Sequence, residues 1–154
     1  MSHDIELEVG TQDAEAVARL LRALPEWFGI ESATQSYIED ARTFPTVLAR
    51  ADGQVVGALL WSRRYPESAE VHLMAVEPAY HRTGIGRRLL ERAEEELRSD
   101  GVRYLQVKTL GPSQPDESYA RTRRFYEGSG FVPLEEMHGV WPEGNPMLIL
   151  VKAL

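Results

Sequence analysis

Apolar and polar residues alternate strictly at the start of the chain. Ile5, Leu7 and Val9 interleave with Asp4, Glu6 and Glu8, which predicts a half-buried strand. The period then changes. Val17, Leu20, Leu21 and Leu24 form one helical stripe, with Thr11 as its cap and Pro25 as its end. Ser32 and Gln35 have capping-box spacing and open a second helix running to about Arg42. Residues 46–51 and 54–63 read as two strands joined by Asp52-Gly53, a strong hairpin signal. Gly57 inside the second strand points to a bulge or a close neighbour.

The apolar run 70–76 predicts the next strand. Ile85, Leu89, Leu90, Ala93 and Leu97 then give a helix its core face, and Gly101 ends it. Residues 102–109 form a strand and 110–117 a Gly/Pro/Ser loop. A short helix follows over 118–128, then strands over 131–137 and 147–152. The order β-α-α-β-β-β-α-β-α-β-β describes one mixed α/β domain over residues 1–154, without repeats or a linker.

Composition narrows the class. Hydrophobic content of 43% and charged content of 27% are ordinary for a globular protein. The absence of cysteine excludes disulfides, thiolate metal sites and a cysteine nucleophile. No set of His, Asp and Glu shows metal-ligand spacing, and His3 and His138 have no patterned partners. No apolar stretch approaches the roughly 20 residues of a membrane span, and residues 1–4 lack the basic and apolar regions of a signal peptide, so a cytoplasmic location is expected. The net charge of −7 disfavours nucleic acid and anionic lipid as partners. Against that balance, Arg82, Arg87 and Arg88 surround one glycine loop, an arrangement that suits a small polyanion or, alternatively, a solvated helix face.

That loop carries the chemistry. After the strand ending at Val76, Pro78 stops the run, Gly84 and Gly86 sit two apart, and a helix begins at once. A strand, glycine loop and helix N-terminus aim free backbone N–H groups and a helix dipole at one spot. A phosphate fits there, although two glycines also serve simply to shape a tight turn. The loop is neither a Walker A nor a dinucleotide fingerprint, because the required Lys-Ser/Thr and third glycine are missing.

Two motifs, in order and spacing, make the chain resemble the GNAT superfamily of N-acetyltransferases. One is the Gln/Arg-x-x-Gly-x-Gly loop, here His81-Arg82-Thr83-Gly84-Ile85-Gly86. The other is a helix ending Phe125-Tyr126-Glu127, followed by Gly130-Phe131. The chain departs from the family at His81, where Gln or Arg is usual, and at Tyr119, where many members carry Asn. The resemblance implies a sheet splayed between strands 70–76 and 102–109 and flanked by helices, with acetyl-CoA lying in the split. Pantetheine would pair with the backbone around Met74, Ala75 and Val76, and the pyrophosphate would sit on the N–H groups of Arg82 through Arg87. The resemblance also leaves a homodimer open.

It further implies transfer of the acetyl group to a primary amine by direct attack in a ternary complex. Tyr126 stands at the family's acid position; without the resemblance it reads instead as a buried tyrosine on an apolar helix face. Glu70 and His72 are the candidate bases, because alternation puts both on one face, away from Val71 and Leu73. The segment 72–76 resembles the matching strand of arylalkylamine N-acetyltransferases. A histidine titrates near neutral pH and suits the amine's proton, while Glu70 alternatively attracts a cationic amine. Met74 or Ala75 N–H is the implied oxyanion donor. Trp27 and Phe28, near Glu26 and Glu31, either seat a cationic acceptor or form an apolar inter-helix turn. The alternative to an enzyme is a noncatalytic acyl-CoA-binding regulatory module.

Overall fold

The computed structural model describes residues 4–154, so His3 lies outside the described residues. The elements are β1 (Ile5–Val9), α1 (Ala14–Arg22), α2 (Glu31–Asp40), β2 (Thr46–Ala51), β3 (Gln54–Tyr65), β4 (Ser68–Val76), a 3-10 turn (Pro78–Tyr80), α3 (Ile85–Ser99), β5 (Tyr104–Leu110), α4 (Glu117–Gly128), β6 (Val132–Met137) and β7 (Met147–Ala153). The seven strands form one mixed sheet in the order β1-β2-β3-β4-β5-β7-β6. Only β4 and β5 pair in parallel; the other neighbours among the described residues are antiparallel.

Local chemistry explains the boundaries. Asp52 and Gly53 both take positive φ (51° and 81°), as the primed hairpin turn demands. Helices α3 and α4 end alike. Val102 N–H reaches Leu97 O at 2.9 Å and Gly101 N–H reaches Arg98 O at 3.0 Å. Phe131 N–H reaches Tyr126 O at 3.0 Å and Gly130 N–H reaches Glu127 O at 3.1 Å. Each pair is a Schellman closure, with glycine left-handed just past the helix. Two caps differ from the sequence reading. Asp13, not Thr11, caps α1, accepting from Ala16 N–H at 3.0 Å; Thr11 is too far upstream of the first turn. Helix α2 begins before Ser32, so Gln35 bonds Glu31 Oε1 at 2.9 Å instead of closing a capping box.

Two cores flank the sheet. Leu59, Leu89, Leu90, Leu97, Leu105 and Leu150 fill the space under α3 and α4. Val17, Leu20, Leu21, Leu48, Leu60 and Leu73 fill the space under α1 and α2. The suspicion about Gly57 is met twice. The β2–β3 register slips beside it, and a Cβ there would come 3.1 Å from Leu89 and 3.2 Å from Ile85 of α3.

A second bulge matters more. Leu60 pairs with Leu73, but Trp61 pairs with Val71, so His72 is the extra residue in β4. Val71 therefore packs in the α3/α4 core while Leu73 packs in the α1/α2 core. Strict alternation had both turned away from His72. The bulge leaves Val71 opposite His72 and swings Leu73 onto its face.

Candidate active site

The parallel ladder between β4 and β5 runs only from Ser68–Tyr104 to Val71–Val107. Beyond it the strands part. On the β5 side, residues 72–76 have no ladder partner among the described residues, and β5 continues against β7 alone. Unpaired backbone groups are costly unless something satisfies them, so such a split is a place for an extended ligand. Met74, Ala75 and Val76 line it. One of them is partly engaged, since His81 Nε2 donates to Val76 O at 2.8 Å; the carbonyl's second lone pair stays open.

At the mouth of the split, Arg82 (φ 62°) and Gly84 (φ 87°) are both left-handed and turn the chain into α3. The backbone N–H groups of Arg82, Thr83, Gly84, Ile85, Gly86 and Arg87 have no acceptor among the described residues. The first bond returning to this turn is Arg88 N–H to Gly84 O at 3.1 Å. Six consecutive free donors at a helix N-terminus fit a pyrophosphate. The two glycines serve differently. Gly84 supplies the positive φ, whereas a Cβ on Gly86 would meet the Phe125 ring at 3.5 Å. Arg82, Thr83 and Arg87 are exposed around the cradle, and Ile85 is buried beneath it.

Tyr126 comes from α4, which packs against β5. It is only 4% exposed and stacks edge-on with Phe125 and Phe131. Burial strips water from its phenolate and pushes its pKa far above the ordinary tyrosine value. Its hydroxyl bonds no described residue, yet is not among the buried unsatisfied atoms. It therefore keeps its proton and an open side.

Glu70 and His72 do share the α1/α2 face, in different company. Glu70 is 6% exposed, accepts from Gln106 Nε2 at 3.0 Å and forms ion pairs with Lys108 Nζ at 3.0 Å and Arg64 at 3.3 Å. His72 is held between Phe44 and Tyr37, with ring centroids 4.6 and 5.3 Å away, and its Nε2 lies 2.8 Å from Asp40 Oδ2. A carboxylate only accepts, so Nε2 carries the hydrogen, and in the neutral ring Nδ1 is the bare nitrogen. Nδ1 has no partner among the described residues. Burial, then the Glu70 and Asp40 carboxylates, raise the pKa of Tyr37, which places that phenol beside both acids.

Sequence reasoning did not reach Asp40. A signal existed: α2 carries Glu39 and Asp40 in its last turn with no base, against the preference of a helix C-terminus for positive charge. It also missed the role of Trp27. The indole Nε1 donates to Thr122 Oγ1 at 3.0 Å and the Trp27 carbonyl accepts from Tyr119 Oη at 2.9 Å. His81 meets the ring edge-on at 6.1 Å, and the Arg121 guanidinium sits over it at 5.9 Å. The α1–α2 loop, the glycine loop and α4 thus meet at one side chain.

Comparison with known proteins agrees with this architecture. The model of the acetyltransferase (GNAT) family matches residues 14–131. A mycothiol acetyltransferase of Beutenbergia cavernae is 36% identical over 91 residues, 56% of this chain and 28% of its own. The crystal structure of a GNAT-family protein from Desulfovibrio desulfuricans superposes with a TM-score of 0.83 at 23% identity, over 97% of this chain and 99% of that one. A GNAT-family acetyltransferase from Elizabethkingia anophelis, solved with acetyl-CoA bound, gives 0.72 at 18% identity, over 97% and 98%. At those identities the two structures speak for the fold. The chain spans 28%, 63% and 27% of the length of the first three curated relatives.

Proposed function

This chain belongs to the GNAT acetyltransferase family, and from that premise we propose that it moves an acetyl group from acetyl-CoA to a primary amine by direct attack in a ternary complex. The observation that carries the reading is the split after Val71–Val107, with a cradle of free N–H groups at its mouth and the bare Nδ1 of His72 beside it. The whole chain is read as one domain, which the participation of residues 5 to 153 in a single sheet supports.

The roles follow from chemistry. Acetyl-CoA supplies an activated acyl carbon and a thiolate leaving group. The N–H groups of residues 82–87 hold its pyrophosphate, and the open edge at Met74, Ala75 and Val76 receives pantetheine. His72 Nδ1 accepts the ammonium proton, directly or through water, freeing the lone pair that attacks. Asp40 keeps His72 in the tautomer that leaves Nδ1 bare and offsets the positive charge that develops on the ring. The N–H of Met74 or Ala75 meets charge gathering on the acetyl oxygen. Tyr126, held protonated by burial, donates to the departing sulfur as the C–S bond breaks and is reprotonated by the second proton that the acylated nitrogen sheds. Between the two base candidates the geometry favours His72. Both Glu70 oxygens already face cationic donors, which makes Glu70 an electrostatic anchor.

The noncatalytic alternative shares the cradle but gives no reason for a bare imidazole nitrogen and an open phenol at the split. Thiol release from acetyl-CoA against amines, aminoglycosides, amino acids and short peptides tests the proposal. Acceptor-dependent release is the expected result. Binding of acetyl-CoA without release under any acceptor would favour the module instead.

A further inference from the structure

The corner that reads in the sequence either as a seat for a cationic acceptor or as an apolar turn is largely taken up by the protein itself. The face of Trp27 carries Arg121 at 5.9 Å, and Glu31 is bonded to Arg22 at 3.1 Å. Asp40, the acid beside the base candidate, is taken up by His72. Trp27, Glu31 and Asp40 each already carry a contact within the protein, which leaves Glu26 as the acid of that corner without an ion pair among the described residues.

The β5 side of His72 has the opposite balance. Leu105 and Val107 pack in the α3/α4 core, so Gln106 and Lys108 face the other way, towards Glu70. Glu70 itself opposes two cations there, a local surplus of one positive charge before Asp40, beyond the His72 ring, is counted. Neither cation is used up by Glu70. The Lys108 side chain is 31% exposed and that of Arg64 47%, and each keeps donors beyond the one that Glu70 takes. Both line a shallow groove of about 420 Å³ with Tyr65, Tyr104 and Gln106, which runs along the paired part of the β4–β5 ladder and reaches the start of the split at Lys108. Glu70 and His72 are two residues apart on one strand, roughly 7 Å. A group held by Arg64 and Lys108 thus lies within the span of a small amino acid from Nδ1 of His72.

We infer that the acceptor is an amine bearing a carboxylate, seated by Arg64 and Lys108 while its amine faces His72; this rests on the acyl-transfer reading above. The carboxylate completes a charge balance that Glu70 alone leaves open. The same cations discourage a second ammonium, so the arrangement selects against polyamines as well as for acids.

Matched sets test this directly. For apolar, polar and acidic side chains, an α-amino acid, its amide and its decarboxylated amine are compared by kcat/KM, corrected for the fraction of free base. The acid is expected to exceed its amide and amine by at least about tenfold, the scale of charge-assisted hydrogen bonds. Arg64→Gln, a change at a half-exposed position, is expected to bring the ratio of acid to amide towards one, through KM for the acid. Equal or better use of the amide or amine would overturn the inference, as would an Arg64→Gln effect shared equally by all three. Turnover of polyamines but not of these sets would overturn it and leave acyl transfer standing. Binding of acetyl-CoA with no turnover of any amine would bring down both.

Discussion

Replacing Asp40 by Asn removes one charge and almost no volume, and it addresses the base directly. When the ring is neutral, the carboxylate accepts from His72 Nε2–H at 2.8 Å. When Nδ1 takes up a proton, that contact becomes an ion pair. The charge-assisted bond is worth about 1.5–3 kcal/mol, against about 0.5–1.5 for its neutral counterpart. The side chains are 21% and 33% exposed, so water screens part of the difference. A loss of about 1–2 kcal/mol in the transition state remains, or about five- to thirtyfold in kcat. An asparagine that presents its NH₂ to Nε2 also imposes the wrong tautomer, which adds to the loss. The fold should tolerate the change, because an acid in the last turn of α2 opposes the helix dipole. The assay is single-turnover acetyl transfer at saturating acetyl-CoA, with ¹⁵N shifts of the imidazole read in parallel and a cycle against His72→Gln. Wild-type chemistry in Asp40→Asn, or a full additional loss when it is combined with His72→Gln, would refute the argument that Asp40 acts through His72.

Three further outcomes are expected. His72→Gln lowers kcat by about 10²–10⁴-fold while Glu70→Gln changes it only a few-fold; the reverse ranking in the same assay would make Glu70 the base. Gly84→Asp forces a side chain into φ 87° and sets a negative charge among the six free donors, so calorimetry should show acetyl-CoA affinity lower by tenfold or more. Tyr126 has its pKa raised by burial, so above pH 10, the ordinary tyrosine value, the unfolded chain loses a proton that the folded chain keeps. Stability must then fall with rising pH, by up to about 1.4 kcal/mol per unit from this group. Tyr126→Phe should flatten the alkaline decline in denaturant melts and lower kcat with little effect on acetyl-CoA affinity; an unchanged alkaline slope would contradict the burial argument.

Much of the fold was legible in the sequence because periodicity and turn chemistry agreed. The alternation at Ile5–Val9, the hairpin at Asp52-Gly53 and the glycines closing α3 and α4 each follow from short-range rules. The glycine loop was legible as well, since its donors are backbone groups fixed by neighbours in sequence. The missed features are long-range. Asp40 meets His72 across 32 residues, and Trp27 meets Thr122 across 95. The company of Glu70 comes from β3 and β5. The bulge at His72 was invisible for another reason: one extra residue changes the facing of all that follows without altering composition or period within either half.

That bulge divides β4 in function as well as in facing. Residues up to His72 keep one phase and turn Glu70 and His72 to the α1/α2 face, while those after it keep the opposite phase and present an unpaired backbone edge to the split. Side chains matter in the first half, and main-chain atoms matter in the second. On the proposed acyl-transfer reading, mutational drift at positions 68–72 would retune which amine is accepted without disturbing the donor site. Deleting His72 would restore plain alternation from Val71 to Leu73 and leave both cores in place, at the cost of the imidazole alone. The strand works as an evolutionary hinge, on which new acceptors can be tried while the acyl donor stays constant.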